Sequence, residues 1–272
     1  MVEKIEYSMR AKRSLGQNFL VDGNYVSKIV NAVHPEKDEV VIEIGPGRGA
    51  LTRELLERGA KVLAIELDRE LVPKLRDDHG LTGRFIVVEA DASEADLREL
   101  IDQFYPGTPK AKLVANLPYY ISTAILQHLS AERHCLSKLV LMFQREVVER
   151  ITAKPGSSER GYLTVLVEAA FAVERLFDVP PEAFRPRPKI WSSVVRLIPK
   201  AQSSADGDAF RRFLSSGFSQ KRKTIANNLK RSYPEAAVAL ADACIDPKRR
   251  AETLELSEWL RLYDAIAVHP KP

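Results

Sequence analysis

Residues 116–119 read Asn-Leu-Pro-Tyr and close a short apolar run of Leu113, Val114 and Ala115. A buried strand does not need that ending. Asn116 brings a side-chain carbonyl, Pro118 removes a backbone donor and stiffens the turn, and Tyr119 brings a flat ring. Together they suit a planar ligand with an amine to be held. Asn and Pro are also ordinary turn residues, so the tetrapeptide gains meaning only from what lies beside it.

A second chemical signal stands upstream. "VVIEIGPGRGALT" (40–52) reads as a strand, a glycine-rich turn and a helix start. Gly45, Gly47 and Gly49 let the backbone turn tightly and approach a ligand closely. Gly45, Gly47 and Ala50 also satisfy the loose dinucleotide fingerprint, so this segment alone does not separate NAD from S-adenosylmethionine. Glu66 follows Gly45 by twenty-one residues, at the end of the next apolar run. A carboxylate there accepts both hydroxyls of a ribose in either cofactor class; otherwise it is a solvated strand end. Asp91 ends the run after that. It can meet an adenine amino group or merely cap the following helix.

The elements that must position these groups are legible as alternation. Apolar runs at 40–44, 61–65, 85–90, 112–115, 139–143, 173–179 and 194–198 are separated, for the most part, by amphipathic stretches such as 50–57, 70–77 and 122–129. This predicts an α/β fold with a mostly parallel sheet covered on both faces. Its carboxyl edge would gather Gly45, Glu66, Asp91 and Asn116. The last two runs lie close together and predict an antiparallel pair at one edge. "AQSSADGD" (201–208) reads as a linker, and helical periodicity fills the remainder. We therefore expect a domain over 1–199 and a small all-helical domain over 200–272.

With a cofactor loop beside it, Asn116 acquires a chemical role. The exocyclic amine of adenine is a poor nucleophile, because its lone pair is delocalised into the ring. Two acceptors on its protons favour the tetrahedral geometry needed to attack a methyl group. The Asn116 side-chain carbonyl and the Leu117 backbone carbonyl are the candidates, with Pro118 holding the turn and Tyr119 stacking the base. No strong general base is required; positioning and electrostatics supply the catalysis.

Composition narrows the partners. The 272 residues are 45% hydrophobic and 29% charged, as in a globular chain. No stretch approaches the ~20 apolar residues of a membrane span, and the N-terminus has no signal-peptide h-region. Two isolated cysteines, Cys135 and Cys244, fit a reduced cytoplasmic protein, and no metal site is expected. Residues 200–272 hold 13 Lys/Arg against 9 Asp/Glu, whereas residues 1–199 hold 28 of each. The whole net charge of +4 thus lies in the last quarter of the chain. It is either a solvated helical surface or an electrostatic footprint for nucleic acid.

Over nearly its whole length the chain resembles the bacterial small-subunit (16S) ribosomal RNA adenine-N6,N6-dimethyltransferases. The motifs occur in order: "SLGQNFLVD" (14–22), "EIGPGRGALT" (43–52), "AIELD" (64–68), "EADA" (89–92), "NLPYY" (116–120), "MFQREVVERITAKPGSSERGYLTV" (142–165), "FRPRPKIWSSVVRL" (184–197) and "GFSQKRKTIANNL" (217–229). The resemblance implies a Rossmann-like S-adenosylmethionine-dependent methyltransferase with a seven-stranded sheet. It would dimethylate two neighbouring adenosines in a hairpin near the 3′ end of 16S rRNA, within an immature 30S-type subunit and as a monomer.

Carried over by motif, Asn18 and Leu20 would line the cofactor pocket with Gly45, Gly47, Leu67, Ala92 and Asn116. Glu66 would take the ribose and Asp91 the adenine ring. Asn116 would hold the target amine, and Tyr119 and Phe184 would sandwich the target base. Arg185, Arg187 and Lys189, interleaved with two prolines, suit an extended RNA-facing loop. Lys221, Arg222 and Lys223 would be three cations around a helix turn, at least one of them facing phosphate. Otherwise Phe184 reads as core packing at a loop, Arg185, Arg187 and Lys189 as surface solubility, and Lys221, Arg222 and Lys223 as one exposed helix turn. Arg48 departs from the leucine usual at its place and could point outward. The alternatives are a large-subunit rRNA adenine methyltransferase, which usually lacks the "GFSQKRKT" region, and a ribosome-assembly or transcription factor acting mainly by binding.

Overall fold

The computed structural model describes residues 11–12, 15–118, 121–201 and 207–268. The alternation becomes β1 (Phe19–Leu20), α1 (Gly23–Val33), β2 (Val40–Ile44), α2 (Ala50–Glu57), β3 (Lys61–Glu66), α3 (Leu71–His79), β4 (Phe85–Glu89), α4 (Leu97–Phe104), β5 (Ala111–Asn116), α5 (Ser122–Glu132) and β6 (Leu136–Gln144). Then come α6 (Arg145–Ile151), α7 (Tyr162–Ala170), β7 (Phe171–Val179), β8 (Phe184–Arg185) and β9 (Ser192–Pro199). Beyond Pro199 the described elements are helical: α8 (Asp208–Gly217), α9 (Ile225–Leu229), α10 (Ala236–Asp242) and α11 (Leu256–Val268). Of the expected linker, 202–206 lie outside the described residues.

Seven strands form one sheet in the order β4-β3-β2-β5-β6-β9-β7. The first five are mutually parallel, and β9 runs antiparallel to both β6 and β7. The expected antiparallel pair is thus present, but the later strand is the inner one. Burial explains why: β9 carries Val194, Val195 and Leu197, all buried, whereas β7 exposes much of its middle. The more apolar strand goes where both faces are covered. Strands β2 and β5 have every residue buried except Asn116, which is half-buried where β5 ends. The break in burial falls where the chemistry was read.

Two short strands were not foreseen. β1 pairs antiparallel with β8, Phe19 opposite Arg185 and Leu20 opposite Phe184. Cross-strand partners share a face, and Leu20 and Phe184 both enter the core with Val26, Met142, Val179 and Val194.

A carboxyl group is buried in the middle of the sheet. Glu43 of β2 is 1% exposed, and the Thr52 hydroxyl donates to its Oε2 at 2.6 Å. Burial pushes the Glu43 carboxyl up to about 7, the Thr52 hydroxyl pulls it down, and the charge of Glu66 raises it further. The folded value lies above the ordinary 4.5, so between these values the folded chain keeps a proton that the unfolded chain has lost. The penalty is absent below pH 4.5, grows as pH rises towards 7 and is complete above it, on the order of 3 kcal/mol. Glu43→Gln, a neutral isostere, should therefore raise the melting temperature by several degrees at pH 8 and change it little at pH 4.5. Thermal melts of both chains at the two pH values check this; an equal shift at both would show that the Glu43 charge is not the cost.

Candidate functional site

The carboxyl ends of four adjacent parallel strands, β4, β3, β2 and β5, form the floor of a cleft of about 910 Å³, its open mouth included. Ligands of doubly wound sheets bind at this edge. The floor consists of Ile44 and Gly45, then Ile65 to Leu67, then Ala90 to Ala92, then Asn116 to Pro118. Residues 15–19, a strap running across from the N-terminal side, form the opposite wall.

The glycine loop turns through left-handed backbone at Gly45, Gly47 and Gly49. At Gly47 a side chain is also barred by its neighbour, since a Cβ would lie 2.9 Å from the Phe19 ring. Strap and loop thus touch where Gly47 has no side chain. Arg48 closes the contact from another side. It does not point outward but is half-buried, its guanidinium 4.6 Å from the centre of the Phe19 ring. A cation over an aromatic face is favourable, which accounts for its placement.

Glu66 ends β3 and is 6% exposed. Its Oε2 accepts from the Gly47 amide at 3.0 Å and its Oε1 from the Asp68 amide at 2.9 Å. Burial pushes its carboxyl up; the amides of Asp68 and Gly47 pull it back, and the charge of Asp68 adds to the rise. A carboxylate has about four lone-pair sites, so both oxygens keep capacity for a diol. Asp91 is exposed, and its Oδ1 accepts from the amide and hydroxyl of Ser93. It does not cap the next helix: Asp96 is the N-cap of α4, accepting from the Glu99 amide. Asp91 is left on the cleft wall beside Ala92.

Asn116 donates through Nδ2 to the Asn18 carbonyl at 3.2 Å. That bond uses the amide's donor end and leaves Oδ1 as its acceptor end. Asn18 is held in turn, its own Nδ2 donating to the Gly16 carbonyl. Sequence reasoning missed what anchors the strap. Lys12 Nζ and Gln17 Nε2 donate to the two oxygens of Asp68 at 2.7 and 2.8 Å, and the Lys12 amide donates to Gln17 Oε1. Asp68 is buried; desolvation opposes its charge, but the bonds from Lys12 and Gln17 hold its carboxyl below the ordinary range. A path of hydrogen bonds and adjoining residues thus runs from Glu66 through Asp68, Gln17 and Asn18 to Asn116. The sole hint in the sequence was Asp68 two residues after Glu66.

Asn18, Gly45, Gly47, Glu66, Leu67, Asp91, Ala92, Asn116, Leu117 and Pro118 all line the cleft. Two expected residues do not. Leu20 faces the core beneath the strap, and Phe184, 1% exposed, is its cross-strand partner there. The pairing of β1 with β8 turns both side chains inward, so Phe184 as placed offers no face for a base. Tyr119 lies outside the described residues. Arg185, Arg187 and Lys189 are exposed; Arg187 pairs with Glu182, and Arg185 donates to the carbonyls of Glu182 and Phe184. Lys221, Arg222 and Lys223 are exposed too, but not on a helix. Thr224 is the N-cap of α9, its hydroxyl accepting from the Asn227 amide, so the three cations occupy the preceding turn. Among the described residues no cluster of His, Cys, Asp or Glu has metal-holding geometry, and no helix is long and apolar enough to cross a membrane.

Known proteins resemble this chain in sequence and fold. The chain is 40% identical over 264 residues to the ribosomal RNA small subunit methyltransferase A of Hahella chejuensis, covering 96% of this chain and 94% of that one. Its fold matches a dimethyladenosine transferase from Plasmodium falciparum with a TM-score of 0.75 at 28% identity, over 90% of this chain and 95% of that one. It also matches the 23S rRNA methyltransferase ErmE with a TM-score of 0.68 at 28% identity, over 92% of this chain and all of that one. The sheet and its flanking helices are therefore those of the Rossmann-like methyltransferases. The profile of the ribosomal RNA adenine dimethylases matches residues 8–268, and the chain belongs to that family.

Proposed function

We propose that this protein transfers methyl groups from S-adenosylmethionine to N6 of two adjacent adenosines near the 3′ end of small-subunit rRNA, giving N6,N6-dimethyladenosine. The observation that carries the reading is the Asn116 amide, tethered by its donor end at the edge of a cleft whose glycine loop and Glu66 carboxylate suit a nucleoside cofactor. The small subunit is favoured as target because relatives bearing its name reach 40% identity across almost the whole chain, against 28% for the 23S enzyme.

The cleft's residues fit the cofactor. Glu66 would take the ribose hydroxyls, Asp91 the adenine amine, and the strap at Asn18 the methionine end. When bound, S-adenosylmethionine supplies an electrophilic methyl group. The chain's part is to orient the acceptor. Asn116 Oδ1 and the Leu117 carbonyl would accept hydrogen bonds from the amine, drawing the nitrogen out of the ring's conjugation, and each transfer releases one N–H proton to water. Pro118 fixes the turn, and Tyr119, by its place in the sequence, offers a ring to the base. Positioning of this kind needs no strong base. The intact Asn116 geometry favours catalysis over a role in binding alone.

Transfer of labelled methyl to unmethylated small subunits, with nucleoside analysis, tests the reading; no N6,N6-dimethyladenosine would overturn it. We further propose that the protein acts in the cytoplasm, as a monomer, on immature small subunits. Residues 1–199 would bind cofactor and one adenine, and residues 200–272 would dock the folded RNA, because the surplus charge lies there. Replacing Lys221, Arg222 and Lys223 together should weaken small-subunit binding and flatten its salt dependence by roughly 0.7–0.9 in slope per lost phosphate contact. Cofactor affinity should not change. Titrations at several salt concentrations check this, and parallel lines would mean that the turn touches no phosphate.

A further inference from the structure

The chain has two tryptophans, and they are placed very differently. Trp259 is fully buried in the C-terminal helices, against Phe213 and Phe218. Trp191 is 46% exposed and follows Ile190, itself 40% exposed. The function proposed above uses neither.

The sheet register locates Trp191 relative to the site. Asn116 is the partner of Met142 on β6, and Met142 is the partner of Val194 on β9. Because β9 runs antiparallel, its chain enters at the carboxyl edge of the parallel strands, with Ser192 opposite Gln144. Trp191 therefore stands above the same edge as Asn116, two strands across. The offset is about 10 Å laterally and about 10 Å outward, from ordinary strand spacing and rise. Its backbone is held, the Arg145 amide donating to the Trp191 carbonyl at 3.0 Å. The backbone that carries the indole is thus fixed above the same sheet edge as Asn116, outside the lining of the cleft.

The surroundings are cationic. Arg145, Arg185, Arg187 and Lys189 are all exposed on the segments flanking Trp191. Glu182 pairs with Arg187 and Glu149 with Arg145, both as exposed ion pairs. Such pairs contribute little and exchange readily for another anion. Exposed aromatics among cations suit single-stranded nucleic acid, whose bases stack while its phosphates meet the charges. Phe184, turned into the core, does not supply that ring.

We propose that Trp191 is a stacking platform for an unpaired base flanking the target adenosine, with Arg185 and Lys189 meeting the adjoining phosphates. This rests on the rRNA-methylating function proposed above and assigns part of its substrate surface to a residue outside the cleft.

The buried Trp259 makes the test direct, because changes in tryptophan emission on adding ligand report Trp191. The full chain is titrated with a single-stranded oligoadenylate, and Trp191→Phe serves as the blank. The expected result is quenching of wild-type emission and none in the blank. In methyl transfer to small subunits, Trp191→Ala should raise KM on the order of 10-fold, the size of one lost base stack. Its kcat should hold, and Trp191→Phe should restore most of the KM, since a phenyl ring also stacks. Unchanged wild-type emission in a chain that methylates small subunits would overturn the proposal. So would a KM defect in Trp191→Ala with no loss of oligoadenylate binding, which would point to a ribosomal protein as the contact. A wild-type chain that methylates no rRNA would instead refute the underlying function, while the oligoadenylate titration would still report on Trp191.

Discussion

Asn116→Ala should lower the single-turnover rate of methyl transfer on the order of 100- to 1,000-fold, the usual effect of removing one preorganised polar contact to a developing charge. Cofactor affinity should stay within a few-fold. The asymmetry follows from where the amide acts. Its Nδ2 is bound to the Asn18 carbonyl, so its orientation is set by the protein itself, and Oδ1 is needed only as the amine changes geometry. Interactions made mainly near the transition state appear in turnover and hardly in ground-state binding. Asn116→Asp separates the two ends of the group: it keeps acceptor oxygens but sets a carboxylate against the Asn18 carbonyl. It should be slow as well, and slower at high pH than at low pH, where protonation restores a donor. Rapid-quench transfer and calorimetry on the three chains decide. Near-normal turnover by Asn116→Ala would remove it from the reaction.

Glu66→Ala should have the largest effect on cofactor affinity, a loss of roughly 100-fold or more. Two charge-assisted hydrogen bonds to a ribose are worth ~1.5–3 kcal/mol each. Glu66 also holds the Gly47 and Asp68 amides, so its removal leaves two donors at the floor of the cleft without their acceptor. Glu66→Gln isolates the second contribution. Its side-chain carbonyl can serve one amide but not both, and it carries no charge for the ribose. Affinity should therefore fall between those of the wild type and Glu66→Ala. Calorimetry with S-adenosylmethionine measures all three, and unchanged affinity in a folded Glu66→Ala chain would exclude the residue from the site.

The strands themselves were readable because each is a short apolar run bounded by turn residues or a helical pattern; their order in the sheet was not. Glu66, Asp91 and Asn116 were readable for a related reason: each terminates such a run, and parallel topology collects those ends at one edge. What escaped was set by pairs distant in sequence. Lys12 and Asp68 are 56 residues apart, and no local pattern says that they meet. Leu20 and Phe184 bear the marks of site residues in their motifs, yet two residues of antiparallel pairing turn both into the core. For Lys221, Arg222 and Lys223 the misreading was local. The three cations were placed around a helix turn, although Thr224, whose hydroxyl can accept from a backbone amide, is a better helix start than interior.

The sheet order has a consequence for how such an enzyme can diversify. Asn116 ends β5, with β2, β3 and β4 on one side and β6, β9 and β7 on the other. Among the described residues, those that line the cleft run from Leu15 to Ile121. The cations and Trp191 at the rim, and the basic turn before α9, come from later in the chain. On the function proposed, one contiguous stretch of sequence builds the cleft, another would build the face turned to the nucleic acid, and the amide proposed to hold the amine stands on the seam. Drift in the second stretch would then redirect the protein to a different RNA without disturbing the first, leaving target choice and methyl chemistry separately heritable within a single fold.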